Sequence, residues 1–382
     1  MLILLQYGDN PTLSRAEATS LASDYGWTIV REAETHLVLE NGRPPERGYR
    51  FGSLLRMCEL FTETTIRDPL LDPKPLFEYT DRAVRWSLYP INVDSSIQSH
   101  VESLIVRAIR GSGRKSLFIK PTSTGSHGGG LSVTRAQRNL ASQAESAFEF
   151  VLEACDDTLY VWRTLSWLDL KGFKERDTLR PAQDSSISMP PALARTLINV
   201  AGGRRILDPF CGTGTVLVEA VHAGLCATGV DLDPSRVRMA SSNLEWASRK
   251  FGSRCCNVFQ GDSRRLEQIL GQESYDAVVS EPPFGPPLRS RLEPQAARRL
   301  LEELRPLYVE VLRSCTRFLS NGGRAVMTLP RFLTTRGELG FEDVSSIGSE
   351  AHLKWDSSRA GTSPPRWDTG GWIERDIGVW RR

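Results

Sequence analysis

The sequence has few of the features that would place it in a membrane, outside the cell or at a metal ion. No apolar run in its 382 residues approaches the roughly 18 to 20 residues that span a bilayer. The opening segment, Met1 to Tyr7, is too short for a secretory core and has no cationic lead, so we interpret it as a strand. Seven cysteines occur without a Cys-x-x-Cys pair, and the adjacent Cys255 and Cys256 would form only a strained bridge. These absences favour a reduced, cytoplasmic protein that has no zinc or other metal site and no membrane partner.

The bulk composition sets broad limits. A hydrophobic content of 40% and a charged content of 25% are ordinary for a soluble globular protein. A length of 382 residues exceeds one average core and predicts two or three domains. The net charge of +2 is too small to establish nucleic-acid binding, so such binding would have to come from a local cluster of charge.

The amino-terminal part of the sequence predicts a small α+β domain over residues 1–70 with ferredoxin-like element order. The predicted elements are strands at 2–7, 27–30, 36–39 and 62–66 and helices at 12–25 and 47–61. A proline-rich passage over 68–75 is predicted to connect this domain to a second one over residues 76–170.

The second predicted domain contains a stretch of one charge sign. No acidic residue occurs from Ser103 to Ala144, and the stretch contains Arg107, Arg110, Arg114, Lys115, Lys120, Arg135 and Arg138. Such a stretch attracts a phosphate backbone. The alternative is a solvated basic face, with the nearby Trp162 and Trp167 in the core. A glycine-rich loop at 121–130, a helix at 139–155 and a strand at 159–168 are predicted around it.

The carboxyl-terminal half alternates strands with helices after a linker at 171–189. The predicted strands are 205–207, 226–230, 257–260, 275–280, 324–329, 340–344 and 373–380, and the helices are 190–201, 215–223, 234–250 and 294–319, the last followed by a loop at 321–323. This alternation predicts a doubly wound sheet over residues 190–382, with ligands bound at the carboxyl ends of its strands.

A glycine turn organises this half. The first strand ends at Asp208, and Gly212 and Gly214 then allow the backbone to turn sharply and approach a ligand before the helix. The second strand ends at Asp231, seventeen residues after Gly214, where a carboxylate accepts hydrogen bonds from ribose hydroxyls. The turn lacks the three-glycine spacing of dinucleotide sites. It therefore favours a ligand without a pyrophosphate, such as S-adenosylmethionine.

A second motif follows the fourth strand, at Glu281-Pro282-Pro283-Phe284. The exocyclic amine of a base is a poor nucleophile, since its lone pair is delocalised into the ring. Two prolines leave carbonyl oxygens without local amide donors, and the acidic side chain adds another acceptor for the amine hydrogens. Phe284 is suited to stack on an unpaired or flipped base. Alone this motif is usually a turn, but its place after the glycine turn indicates an amine methylation site.

These residues resemble the THUMP-containing tRNA guanine 2-amino methyltransferases, the group that modifies position 10 of tRNA. The resemblance rests on Asp208-Pro209-Phe210-Cys211-Gly212-Thr213-Gly214, on Asp231-Leu232-Asp233-Pro234, on the Pro-Pro-Phe-Gly loop, and on the lead-in from Arg180-Pro181 through Ser188 to Arg195. It implies an α/β fold: a class I, Rossmann-like methyltransferase domain with a mixed seven-stranded sheet, preceded by an α+β ferredoxin-like and THUMP-like RNA-binding half that matches only in layout. It also implies tRNA as a partner, gripped at its acceptor stem, and some relatives use a small zinc-binding activator protein.

The resemblance also assigns roles to residues. It implies that the methionine end of S-adenosylmethionine lies against Asp208, Phe210, Gly212, Thr213 and Gly214, the ribose against Asp231, and the adenine against Leu232, Asp262 and Ser263. The alternatives are a helix-capping or loop-bracing carboxylate for Asp208 and a turn residue for Asp262. Cys211 is interpreted as a small packed residue and not a nucleophile, because no histidine lies at a spacing that would pair with it, and His127 and His222 are interpreted as surface or helix residues.

One departure from the family pattern concerns Glu281, where the family has Asp or Asn. The extra methylene moves the carboxylate by about one bond length, and catalytic geometry is sensitive on the order of 1 Å. Phe284, in place of the more usual tyrosine, preserves stacking. The hypotheses are methylation of the guanosine 2-amino group in tRNA, methylation of an adenine or cytosine amine in DNA or ribosomal RNA, and an RNA-binding protein with an inactive pocket.

Overall fold

The computed structural model describes residues 1–40, 50–71, 83–119, 147–183, 189–252, 255–368 and 370–382. These residues divide into two compact units. The first comprises Met1–Asp9, Tyr25–Tyr49 and Leu54–Leu168, and the second Asn10–Asp24, Arg50–Ser53 and Asp169–Arg382.

The first unit is built on one mixed sheet of eight strands. In chain order these are β1 (Ile3–Tyr7), β2 (Thr28–Glu32), β3 (His36–Glu40), β4 (Leu54–Thr65), β5 (Ala83–Ile91), β6 (Lys115–Phe118), β7 (Ala147–Cys155) and β8 (Thr158–Trp167). Their order in the sheet is β2-β3-β1-β4-β8-β7-β5-β6, with β5 parallel to both neighbours and the other pairs antiparallel.

One helix covers a face of this sheet. Helix α2 (Ser95–Gly111) directs Val101, Ile105 and Ile109 inward at a spacing of four residues, and all three are fully buried with Trp86 and Phe150 of the sheet. That spacing places side chains on one face of a helix. The cationic side chains of α2 are thereby left on its outer face.

Two predicted helices of this unit are wrong. Residues 54–61 belong to strand β4, and residues 147–155 form strand β7. Strand β4 pairs with both β1 and β8, so long-range pairing decides its conformation over local preference. In β7 the acidic residues Glu149 and Glu153 lie four positions apart, and a spacing of four keeps side chains on one face in a strand as well as in a helix.

The second unit contains the predicted alternation of strands and helices. Its strands are β9 (Arg205–Asp208), β10 (Cys226–Asp231), β11 (Cys256–Gln260), β12 (Tyr275–Ser280), β13 (Leu319–Thr334), β14 (Gly337–Leu339), β15 (Lys354–Trp355), β16 (Arg366–Trp367) and β17 (Ile373–Arg381). Its helices are α1 (Pro11–Tyr25), α3 (Leu170–Thr178), α4 (Pro191–Ala201), α5 (Thr215–His222), α6 (Pro234–Phe251), α7 (Pro294–Thr316), α8 (Val344–Glu350) and α9 (Ser357–Ala360), with a 3-10 helix at Ser263–Gln268.

Seven strands form one hydrogen-bonded path, in the order β11-β10-β9-β12-β13-β17-β15, while β14 and β16 pair at its sides. The first five are parallel, and β17 is antiparallel to its neighbours. One apolar core contains α1, α4, α5 and α6 on one face of the sheet, and a second contains α7 and α8 on the other. The doubly wound mixed sheet predicted from the sequence is confirmed, and the carboxyl ends of β9 to β12 meet at one edge.

Two predictions within this unit are wrong. The loop expected at 321–323 lies inside β13, whose register with β12 shifts between Tyr275 and Ala277. Gly322 takes a φ of 76°, which lets the strand bulge without ending. The strand expected at 340–344 is absent from the described residues there. Strand β14 ends at Leu339, and Asp343 caps helix α8 by accepting a hydrogen bond from the Ser346 amide at 3.1 Å.

The expectation of fully reduced cysteines is also wrong, because Cys226 and Cys255 form a disulfide. Strands β10 and β11 pair in parallel with Ala227 opposite Cys256, so the preceding residues, both cysteines, face each other. The bonded partner is therefore set by strand pairing and not by proximity in sequence.

The predicted domain limits stay a prediction. The strands of residues 1–70 and 76–170 share one sheet, helix α1 belongs to the second unit, and helix α3 lies within the predicted linker. Among the described helices, none has the length and apolar character to cross a bilayer.

Candidate active site

The glycine turn lies between strand β9 and helix α5. Gly212 and Gly214 adopt φ values of 52° and 85°, in the left-handed region that favours glycine. A Cβ on Gly214 would lie 3.3 Å from the Cα of Ala240, so this glycine also allows helix α6 to pack closely. Gly214 therefore supports the turn by its conformation and by allowing helix α6 to pack against it.

Asp208 ends strand β9 and is almost fully buried. Its Oδ1 accepts hydrogen bonds from the Ser280 hydroxyl at 2.5 Å and from the Phe210 amide at 3.1 Å. Burial raises the pKa of this carboxyl to about 7, opposed by the Ser280 and Phe210 donors and assisted by the nearby charges of Asp231 and Glu281. The site thus contains a carboxylate whose charge is poorly compensated by the protein alone.

Asp231 ends the neighbouring strand β10 and connects it to the turn. Its Oδ2 accepts from the Gly212 amide at 2.9 Å and its Oδ1 from the Asp233 amide at 3.0 Å. Each carboxylate oxygen has further acceptor capacity. The following residue, Leu232, is 68% exposed and presents an apolar side chain beside this carboxylate.

Asp262 and Ser263 follow strand β11. The Asp262 carboxylate caps the 3-10 helix through the Arg264 amide and also pairs with the Arg264 guanidinium, with Nη2 to Oδ2 at 2.6 Å. The hydrogen bond from the Arg264 side chain holds the pKa of Asp262 below its usual range. The Ser263 hydroxyl donates to the Pro209 carbonyl and so braces the glycine turn.

The second motif extends from the carboxyl end of strand β12. Glu281 is held by Arg375, whose Nε donates to Oε2 at 2.5 Å and Nη2 to Oε1 at 3.2 Å, and by the Thr328 hydroxyl at 3.3 Å. The Tyr308 hydroxyl of helix α7 donates to the Pro283 carbonyl at 2.7 Å. The Arg375 guanidinium carbon lies 5.6 Å from the centroid of the Phe284 ring. The loop is therefore braced by residues distant in sequence.

Both motifs line one cleft of about 990 Å³. Of the residues predicted from the sequence, Phe210, Gly212, Asp231, Leu232, Asp262, Ser263, Glu281, Pro282, Pro283 and Phe284 line it. A small cavity of about 30 Å³ shares Phe210, Gly212 and Glu281 with the cleft and is also lined by Asp208 and Thr213. Gly214 lines neither. In the described part of the chain, no group of three or more histidine, cysteine or acidic side chains is arranged to hold a metal ion.

The sequence reasoning missed several residues of this cleft. Arg236, Arg264, Trp372 and Arg375 line it, while Thr328 and Tyr308 support it from outside. Trp372 is 41% exposed and adds an aromatic surface next to strand β17. Arg375 lies in the predicted strand 373–380 and Trp372 directly precedes it, but that strand is far in sequence from either motif, so its prediction does not place these residues at the cleft.

The lead-in to the glycine turn has a structural role. Arg195 pairs with the fully buried Glu219 of α5 at 2.9 Å, as does Arg176 at 2.5 Å, and Arg180 donates to the Thr215 hydroxyl at 2.7 Å. His222, in the last turn of α5, has a pKa lowered to about 2 by burial and by neighbouring arginines. These groups fix helix α5 and lie outside the residues that line the cleft.

The predicted RNA contacts lie in the first unit. Arg107 and Arg110 are exposed on α2, Lys115 is exposed at the start of β6, and Arg114 is half-buried between them. The other predicted contacts, Lys120, Arg135 and Arg138, lie outside the described residues, as does His127.

The fold and the cleft define the class of this protein. Known structures share the fold: TrmN from Thermus thermophilus aligns over 100% of this chain and 99% of its own, with a TM-score of 0.51 and 18% sequence identity. The architecture is the class I, Rossmann-like one expected from the resemblance. Residues 179–334 match the family model described as UPF0020, RMKL-like methyltransferase domain. This part of the chain is therefore similar to a methyltransferase domain.

Two curated relatives are similar over part of the chain. The tRNA (guanine(10)-N2)-dimethyltransferase of Methanothermobacter thermautotrophicus is 36% identical over 149 residues, which cover 38% of this chain and 40% of the relative. The tRNA (guanine(6)-N2)-methyltransferase of Thermus thermophilus is 31% identical over 167 residues, which cover 39% of this chain and 42% of the relative. The matched region thus spans about two-fifths of the length of these relatives.

Proposed function

We propose that this protein transfers a methyl group from S-adenosylmethionine to the 2-amino group of a guanosine in tRNA. The observation that carries the proposal is the meeting of the glycine turn and the Glu281–Phe284 loop in one cleft, so that a methyl donor on the turn faces a base on the loop. The names of the similar relatives agree with this substrate.

The residues of the turn suit this cofactor. S-adenosylmethionine carries a positive charge at its reacting end, and Asp208 is a buried carboxylate whose hydrogen-bond donors in the described part of the chain, the Ser280 hydroxyl and the Phe210 amide, are uncharged. Asp231 keeps acceptor capacity for ribose hydroxyls, and the exposed Leu232 offers apolar surface to a purine. Asp262 and Ser263 serve mainly to brace the pocket, because their side chains already have partners.

The residues of the loop suit an amine nucleophile. Glu281 and the Pro282 carbonyl are the proposed acceptors for the two amine hydrogens, while the Pro283 carbonyl is engaged by Tyr308. Accepting both hydrogens draws the nitrogen towards tetrahedral geometry and directs its lone pair at the methyl carbon. Phe284 and Trp372, which line the same cleft, are the proposed stacking surfaces for the flipped base and its neighbour.

The bound cofactor supplies a methyl group on a positively charged sulfur: the C–N bond forms as the S–C bond breaks, and the bonding pair stays on sulfur. The methylated amine is then cationic and strongly acidic, so it releases its proton without a strong base in the site. Electrostatic and geometric positioning by Glu281, Pro282 and Phe284 therefore accounts for the catalysis.

Transfer of labelled methyl groups into bulk tRNA, followed by nucleoside analysis, tests the proposal. Methylguanosine with the label on the 2-amino group is the expected product. A different methylated base, in tRNA, ribosomal RNA or DNA, would show that the substrate is not the guanosine proposed here. Binding of tRNA without methyl transfer would indicate an inactive site. Mapping the label along the tRNA then separates position 10, our proposed target, from position 6, which the name of one relative specifies.

The first unit is the proposed RNA-binding half, with Arg107, Arg110, Arg114 and Lys115 as phosphate contacts. Replacing both Arg107 and Arg110 with alanine should weaken tRNA binding and reduce the slope of log affinity against log salt by about 2, since each phosphate contact contributes nearly one. Filter binding at several salt concentrations measures this slope. Arg67→Ala, an exposed arginine of the same unit outside the basic stretch, is the matched control. An unchanged slope in the double variant would remove these contacts from the proposal.

A tRNA substrate also supports a cytoplasmic location for this protein. A small zinc-binding activator protein remains a second partner to test, and co-purification of the full chain from its native cell decides whether one is bound.

A further inference from the structure

Arg375 makes the most specific contact with the loop that follows strand β12. Its guanidinium contacts both oxygens of Glu281, with Nε donating to Oε2 and Nη2 to Oε1, and Thr328 donates a further hydrogen bond to Oε2. Two-point contact between a planar guanidinium and a carboxylate fixes orientation as well as distance. The Glu281 side chain is thus held in one direction at the cleft wall.

The position of Arg375 is itself rigid. It lies in strand β17, opposite Pro330 of β13 on one side and Trp367 of β16 on the other. Its side chain is 15% exposed, as is that of Glu281. Thr328, the other donor, is fully buried two residues before Pro330 and so lies on the same face of the sheet as Arg375. Groups on packed strands hold a site more tightly than groups on loops.

The same guanidinium also lies near the far end of the loop. At 5.6 Å from the ring centroid of Phe284, it is within the range of a cation–π contact. Glu281 and Phe284, which are three residues apart, are therefore both in contact with the Arg375 guanidinium.

We propose that Arg375 is a positioning residue for the methyl transfer proposed above: it holds Glu281 so that Oε1 faces the amine, and it sets the place of Phe284 against the base. In the described part of the chain, Oε2 accepts from both Arg375 and Thr328, whereas Oε1 accepts from Arg375 alone and retains more acceptor capacity. The extra methylene of glutamate adds a rotatable bond relative to aspartate, and the contact with Arg375 removes that freedom.

A double-mutant cycle tests this inference, which rests on the proposed function. The four proteins are wild type, Arg375→Met, Glu281→Gln and the double variant, assayed for single-turnover methyl transfer, KM for tRNA and cofactor affinity. Arg375→Met should reduce the single-turnover rate by about 100-fold, because a displacement on the order of 1 Å has that effect. The KM for tRNA and the cofactor affinity should stay within about twofold. In the Glu281→Gln background the same change should have a much smaller further effect, limited to the part that acts through Phe284.

The matched control is Arg331→Met. Arg331 of β13 pairs with Asp376 of β17 at 2.9 and 2.7 Å and is 16% exposed, but it lies on the other face of the sheet and does not line the cleft. The Arg331→Met variant should therefore transfer methyl groups at the wild-type rate. Arg375→Lys should recover part of the rate, because lysine keeps the charge and loses the two-point contact.

Each contrary result points elsewhere. Equal losses in both backgrounds would show that Arg375 does not act through Glu281, and an unchanged rate in Arg375→Met would show that the loop is positioned without it. Thermal unfolding of the same four proteins reports on the pair without turnover: non-additive effects support it, and additive ones reject it. A wild-type protein that transfers no methyl group to guanosine would refute the proposed function, while the unfolding cycle would still decide whether Arg375 holds Glu281.

Discussion

The two sides of the cleft are braced in different ways. On the turn side, Asp231 and Asp262 accept hydrogen bonds from amides within two residues of themselves, and Asp231 also binds Gly212 on the adjacent strand end. On the loop side, Glu281 is held by Thr328 and Arg375, which lie 47 and 94 residues away. The turn side is thus braced mainly by backbone amides and by hydroxyls at neighbouring strand ends, Ser280 for Asp208 and Ser263 for the Pro209 carbonyl, whereas the loop side is braced by side chains of β13 and β17.

The two sides of the cleft therefore depend on the fold in different ways. A site braced mainly by backbone amides and strand ends keeps its shape wherever its parallel strands form. A site braced by side chains from distant strands requires those strands in register. We therefore expect changes on the loop side to affect turnover, and changes on the turn side to affect cofactor binding.

The largest expected effect is that of Glu281→Ala. Removing the acceptor leaves Arg375 unpaired at the cleft wall and should reduce methyl transfer by about 100-fold to 1,000-fold, the range found when one positioned electrostatic group is lost. Cofactor affinity, measured by titration calorimetry, should change by less than about twofold. A parallel loss of cofactor affinity would break the division between the two sides.

The control for this variant is Glu374→Ala. Glu374 precedes Arg375 in strand β17 and points to the opposite face, so it does not line the cleft. It should retain wild-type transfer. If it does not, the effect of Glu281→Ala would reflect a general disturbance of β17.

The same contrast explains what the sequence predicted. The strands that end at Asp208, Asp231 and Ser280 are predictable because their apolar runs stop at glycine, proline or acidic residues. The structure confirms these three strands. The convergence of these ends follows from the parallel arrangement alone. The fold of the second unit and the turn side of the cleft were therefore accessible from local pattern.

The loop side was accessible only in part. The motif at Glu281 is visible in the sequence, but nothing local connects it to Thr328, Tyr308 or Arg375, since their meeting depends on β13, β17 and α7 packing around β12. In the first unit, residues 54–61 of strand β4 are predicted as a helix for a related reason: their apolar residues have no clear period and their pairing partners are remote, whereas the strand predicted at 62–66 is found in the rest of β4.

An intermediate effect is expected from the ionisation of Asp208. Because burial raises its pKa to about 7, most of the carboxyl is protonated at pH 6 and ionised at pH 8. If a cationic ligand binds the ionised form, its affinity should rise about tenfold over that range and level off above it. Binding near pH 7 should also release a proton, which calorimetry in buffers of different ionisation enthalpy detects.

The contribution of Asp208 to the folding stability of the ligand-free protein has the opposite pH dependence. A carboxyl with a raised folded-state pKa binds more protons when folded, so its contribution to stability is present below about pH 4 and is lost as the pH rises to about 7. Asp208→Asn should abolish both pH dependences. If the cofactor affinity of the wild type does not change with pH, Asp208 does not interact with the cationic end of the ligand.

The smallest effect tests whether the loop side needs every one of its distant braces. Tyr308→Phe removes the hydroxyl that donates to the Pro283 carbonyl and keeps the buried ring, which packs edge-on against Phe341. A net hydrogen bond contributes about 1 kcal/mol, so transfer should fall about fivefold with cofactor affinity unchanged. Tyr275→Phe is the matched control, because its hydroxyl donates to Glu273 at the amino end of strand β12. If Tyr308→Phe alters cofactor affinity and leaves the rate unchanged, Tyr308 supports the turn side, and the division between locally and distantly braced halves fails at that residue.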